Sequence, residues 1–182
     1  PFTGQSKCCN LASPAGYYIA TSGATVGTTT PCAAGSYQPK VAQSSCITCP
    51  IGKFMPTKGA TVCTNAPAGT YVSATGATKT IVVPAGFYNG GISQTAGNSF
   101  VCAAGTYSLA GATICTNCAP GKFSSQGRSS CSICQPGTYF NGVGASACTP
   151  CPAGSYCPTA GLTASTQAPA GSQCASAGMS QC

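Results

Sequence analysis

Residues 115–140 read Cys115-Thr-Asn-Cys118-Ala-Pro-Gly121-Lys-Phe123-Ser-Ser-Gln-Gly127-Arg-Ser-Ser-Cys131-Ser-Ile-Cys134-Gln-Pro-Gly137-Thr-Tyr139-Phe140. One phrase occurs in them twice: a C-x-x-C step, then a small residue or Gln and a Pro, then Gly, one residue and an aromatic. Reading outward, its glycine recurs at intervals of 16 to 19 residues along the chain, at Gly16, Gly35, Gly52, Gly69, Gly86, Gly105, Gly121, Gly137, Gly154 and Gly171. An aromatic follows two residues later at Tyr18, Tyr37, Phe54, Tyr71, Tyr88, Tyr107, Phe123, Tyr139 and Tyr156, and only Gln173 departs from the rule. A short fixed period over the whole chain describes a repeat architecture rather than a globular enzyme domain.

A second glycine punctuates most repeats: Gly23, Gly59, Gly76, Gly111, Gly127, Gly144, Gly161 and Gly178. The unit then reads as a strand around the aromatic, a glycine turn, and a strand ending at cysteine, which is a short hairpin. No segment carries a 3.6-residue apolar period, and Gly and Pro recur too often for helices. The expected fold is all-β and disulfide-rich: an elongated, solenoid-like stack of about ten short β-hairpin repeats with little or no helix. One hairpin cannot bury its ring alone, so the nine aromatics are expected to form the repeat core, each packed against a neighbouring disulfide.

The 16 cysteines indicate a disulfide scaffold made in an oxidising compartment. Relative to the repeat glycine they favour two places. Three residues before it, the near site holds Cys32, Cys49, Cys102, Cys118, Cys134 and Cys151; six before it, the far site holds Cys46, Cys63, Cys115, Cys131 and Cys148. Their losses are coupled. Where the near site is Ser13, Ala66 or Val83, the far site of the following repeat is Thr29, Thr80 or Ser99. Partners in a bridge vanish together, because a lone thiol is a liability in a secreted protein. The predicted bridges are therefore Cys32–Cys46, Cys49–Cys63, Cys102–Cys115, Cys118–Cys131 and Cys134–Cys148. Six cysteines remain: Cys8, Cys9, Cys151, Cys157, Cys174 and Cys182. Cys157 and Cys174 share a new offset, three after their glycines, which favours pairing them with each other. Cys8, Cys9, Cys151 and Cys182 are left to pair locally or to bridge head to tail between molecules.

The chain carries seven basic side chains (Lys7, Lys40, Lys53, Lys58, Lys79, Lys122 and Arg128) and no Asp, Glu or His. The excess attracts polyanions in principle, but no two of these cations lie within four residues of each other, so no basic patch is read from the sequence and no nucleic-acid partner is expected. Catalysis lacks a conventional general base, calcium sites lack carboxylates, and no cofactor motif is present. Cys115, Cys118, Cys131 and Cys134 have a ribbon-type zinc spacing, but the coupled losses account for them and for the half-sites together. No metal site is assigned. No stretch approaches a membrane span, and no secretory leader is visible, so the chain reads as a mature or excerpted segment of a secreted protein. No Asn-x-Ser/Thr sequon occurs; Thr28-Thr29-Thr30-Pro31 is a candidate O-glycan site by composition.

The runs Cys46-Ile-Thr-Cys-Pro-Ile-Gly-Lys-Phe54 and Cys148-Thr-Pro-Cys-Pro-Ala-Gly-Ser-Tyr156 resemble the ephrin-receptor-like cysteine-rich repeat, C-x-x-C-P-x-G-x-[YF], as does the stretch from Cys115 to Tyr139. The Ala/Thr/Gly/Ser background also resembles the Cys-rich surface antigens of ciliates and other protists. The resemblance implies an extracellular, disulfide-stapled spacer or coat element and no catalytic residues.

Five segments follow: 1–31, an N-terminal repeat with an extra cysteine pair; 32–65, stapled repeats; 66–101, bridge-poor repeats with apolar Ile81, Val82, Val83, Phe100 and Val101; 102–151, stapled repeats; and 152–182, C-terminal repeats with variant cysteine placement. The functional expectation is a non-catalytic, extracellular or cell-surface structural protein whose partner is itself, joined end to end as a fibre, appendage or coat. The alternative is the stalk of a receptor or adhesin whose binding domain lies elsewhere.

Overall fold

The computed structural model describes residues 13–19 and 28–182. Cys8, Cys9 and Gly23 lie outside the described residues. Among those described, the chain forms eighteen two-residue strands, arranged as two-stranded antiparallel hairpins, and a single short 3-10 turn at Ala96–Asn98. It divides into two compact units, Pro1–Ile81 with Ile92–Ala96, and Val82–Gly91 with Gly97–Cys182.

Each hairpin begins at a tight corner. In all ten repeats the N–H after the corner glycine donates to the carbonyl three residues earlier, for example Lys122 N–H to Ala119 O at 3.1 Å. The corner glycines have φ between +75° and +88°. This is the arrangement of a type II turn, whose third residue needs a positive φ that glycine alone adopts freely. The first arm follows at once. Lys122–Phe123 pairs with Ser132–Ile133 in the second unit, and Lys53–Phe54 with Thr64–Asn65 in the first.

A hairpin with two-residue arms has no stability of its own in water. Within each unit, successive hairpins are joined by three backbone bonds. Between the repeats of Gly35 and Gly52, Gly35 N–H donates to Met55 O (2.8 Å), Gln38 N–H to Ala60 O (3.0 Å) and Gly59 N–H back to Cys32 O (2.8 Å). Between those of Gly105 and Gly121, Gly105 N–H donates to Ser124 O (2.8 Å), Ser108 N–H to Arg128 O (3.2 Å) and Gly127 N–H to Cys102 O (2.9 Å). The stacking interaction is thus chiefly main chain to main chain, with added side-chain bonds where a serine hydroxyl donates to the preceding repeat, Ser108 Oγ to Phe87 O at 2.8 Å and Ser124 Oγ to Thr106 O at 2.9 Å.

The core follows from that geometry. In most repeats the buried positions are the near site, the corner glycine and the residue three after the glycine; Ala168, Ile19 and Phe140 at these places are half-buried, and Gly154 and Gly171 are exposed. The near site is fully buried whether it is cysteine, Ser13, Ala66 or Val83. The third position is buried as Gln38, Met55, Val72, Asn89, Ser108, Ser124, Cys157 or Cys174.

Candidate functional site: the disulfide and backbone frame

No cluster of catalytic type is present in the sequence, and the chemistry-bearing feature of this chain is its frame. The near-site cysteine leaves the hairpin corner fully buried, and the far-site cysteine comes back on the second arm. The structure joins Cys32 to Cys46, Cys49 to Cys63, Cys102 to Cys115, Cys118 to Cys131 and Cys134 to Cys148. Their Cα–Cα separations are 5.7 to 5.8 Å, so one backbone geometry serves all five. The four sulfurs with zinc-ribbon spacing are consumed by three of these bridges.

The C-terminal cysteines pair differently from the Cys157–Cys174 bond that their shared offset favours. Cys151 is bonded to Cys157, and Cys174 to Cys182. The physical reason is again a coupled loss. The far site that would receive Cys151 is Ser165, and the near site that would receive Cys182 is Ala168. Each orphan is met by a cysteine at the third buried position, which lies in the same layer as the near site. Head-to-tail bridging through Cys151 or Cys182 is therefore not available, since both are bonded within the chain.

The aromatics also stand corrected. Tyr18, Tyr37, Phe54, Tyr71, Tyr88, Tyr107, Phe123, Tyr139 and Tyr156 are half-buried, not core, and Gln173 is exposed. Successive repeats approach to backbone hydrogen-bond distance, which leaves no slot of ring thickness between them. Tyr37 does pack, as expected, against the bridge of the following repeat, touching the cluster of Cys49, Met55 and Cys63. Among the described residues one ring pair forms, Tyr88 with Phe100, at 5.6 Å between centroids.

Corner glycines carry a second duty. A Cβ on Gly16, Gly35, Gly86, Gly105, Gly121 or Gly137 would run into the carbonyl of Gly59, Gly76, Gly127, Gly144, Gly161 or Gly178, each belonging to the repeat after next. Gly52 meets the Ser93 carbonyl in the same way. Ser93 lies seven residues after Gly86, and Ala42 seven after Gly35; both have φ of +56°. They are the turn positions of the two repeats in which the second glycine is missing. Residue type hides them, and only the spacing points to them. A further device is the hydroxyl after the corner: Ser36, Thr70, Thr106, Thr138 and Ser155 each donate to the carbonyl three residues back, at 2.7 to 2.8 Å.

No helix among the described residues is long and apolar enough to cross a membrane. No curated protein matches the chain. The family model described as tyrosine-protein kinase ephrin type A/B receptor-like matches residues 16–61, 41–80 and 121–174. The overlap of the first two matches reflects the period, since different pairs of stapled repeats satisfy the same pattern. Residues 81–120 stay outside; they hold the bridge-free Val83 and Ser99 positions and the long repeat of Gly86. The matches together span more than half of the chain, and the chain belongs to the ephrin-receptor-like family of cysteine-rich repeats.

Proposed function

We propose that this chain is an extracellular structural segment that assembles with copies of itself, end to end, into a fibre, appendage or surface coat. The observation that carries this reading is the recurring junction: within each unit the same three main-chain bonds join successive repeats while residues outside the glycine corners vary. An interface of that kind can be reused between molecules.

Negative-stain microscopy of purified protein tests the proposal. Filaments that shorten or fray when the disulfides are reduced are the expected result. Monodisperse monomers at high concentration under oxidising conditions overturn it. The family match supports a second reading, a non-catalytic stalk or spacer of a surface protein. A gene encoding a membrane span or a non-repeat head domain next to these repeats favours that second reading.

A further inference from the structure

We propose that Arg128 and the serines around it form a binding site for an oxyanion of the sulfate-ester or phosphate kind. The proposal is independent of the assembly reading. Seven cationic side chains and no Asp or Glu are present in the sequence, so no side-chain carboxylate of this chain can neutralise any of the seven. Six are lysines, flexible point charges. Arg128 is the single arginine; it is exposed, as are Ser125, Ser129, Ser130 and Ser132 around it.

Its main chain is fixed within the frame. The Arg128 carbonyl accepts from Ser108 N–H at 3.2 Å, the preceding Gly127 N–H donates to Cys102 O at 2.9 Å, and Arg128 bridges in parallel to Tyr107. Its side chain is held as well: Nε donates to Ser125 Oγ at 2.9 Å. That bond uses one of the five guanidinium donors and sets the plane of the group, leaving the outer fork for a ligand. A cleft of about 300 Å³ opens beside it, lined by Phe123, Ser125, Arg128, Ser129, Ser130 and Ser132, among others. A planar cation bordered by several hydroxyl donors, with no acidic residue in reach, fits a group that offers three or more acceptor oxygens and negative charge. The cleft exceeds the size of one tetrahedral anion, so it admits the group together with part of its carrier. A sulfated sugar has this chemistry, and a free anion shares it.

Calorimetric titration of the intact, oxidised chain at constant ionic strength tests the site. The probes are a sulfated hexasaccharide, its desulfated counterpart and inorganic sulfate. We expect the sulfated sugar to bind and the desulfated one not to. Arg128→Gln should weaken binding about tenfold, the scale of one lost charge-assisted pair. Arg128→Lys, which keeps the charge and loses the fork, should lie between the two. Lys40→Gln, an equal loss of charge outside the cleft, should change affinity less than about twofold. An unchanged disulfide map in the Arg128 variants shows that the frame is intact. Binding of inorganic sulfate as tight as that of the sugar upholds the site with a free anion as its occupant. Equal weakening by Arg128→Gln and Lys40→Gln, or no binding of either sulfated probe, overturns the proposal.

Discussion

At the scale of single residues, glycine carries two separable roles. The corner requires a positive φ, and at most corners a neighbouring carbonyl occupies the space where a Cβ would stand. Gly121 and Gly154 separate these effects, since φ is +75° and +80° but only Gly121 faces a carbonyl, that of Gly161. Gly154→Ala should cost about 1–2 kcal/mol, the backbone term alone. Gly121→Ala should cost about 3 kcal/mol or more, because the clash adds to it. Denaturant midpoints of the two variants, compared side by side, check the difference. The reverse change is predicted for Ala42 and Ser93, which hold φ of +56° without being glycine. Ala42→Gly and Ser93→Gly should each raise stability by about 1 kcal/mol, read as a higher midpoint. The glycine phrase was legible because residue type and conformation coincide there. Ala42 and Ser93 were not, because a residue held in place by its neighbours leaves no mark in its own chemistry.

At the scale of the hairpin, covalent and non-covalent staples substitute for one another. The near site stays buried as cysteine, Ser13, Ala66 or Val83, and the junction bonds run through it unchanged: Ser93 N–H still reaches Ala66 O, at 2.9 Å. The bridge therefore closes a hairpin and does not build the stack. Replacing Cys118 and Cys131 together by serine should cost about 3 kcal/mol, the entropy of a loop of this size, and leave the neighbouring bridges intact. Amide exchange should accelerate chiefly in the repeats of Gly121 and Gly137. Loss of protection in every repeat at once would show that the stack depends on each bridge. The five regular pairs could be read from coupled absence alone. The C-terminal pairs could not be read from shared offset, because bonding follows proximity in the buried layer and not similarity of position.

At the scale of the molecule, the charge content sets an unusual pH response. With no Asp, Glu or His in the sequence, no side chain has its ordinary titration between about pH 4.5 and 6.5. Folded and unfolded chains then bind the same number of protons, and the slope of stability with pH is zero. The thermal midpoint should stay flat across that window, and scanning calorimetry in matched buffers checks it. A midpoint that falls steadily toward pH 4.5 contradicts the argument. Residues 81–120 lie outside the family matches; they hold the bridge-free Val83 and Ser99 positions but also the Cys102–Cys115 bridge, and they include the exposed apolar side chains Val82, Phe87, Phe100, Leu109 and Ile114.

The sequence by itself determined the period, the hairpin as the unit, the regular disulfide pairs and the exclusion of conventional acid–base chemistry. Each of these rests on residue type recurring at fixed spacing, which survives in one dimension. Only the tertiary structure decided what lies between the repeats. The rings looked like the core because they are large and regular, yet main-chain bonds of about 3 Å between successive hairpins leave them half-buried. Those bonds involve groups that every residue shares, so no side chain announces them. The Gly-x-aromatic phrase marks where the frame turns, and the backbone within that turn holds the repeats together.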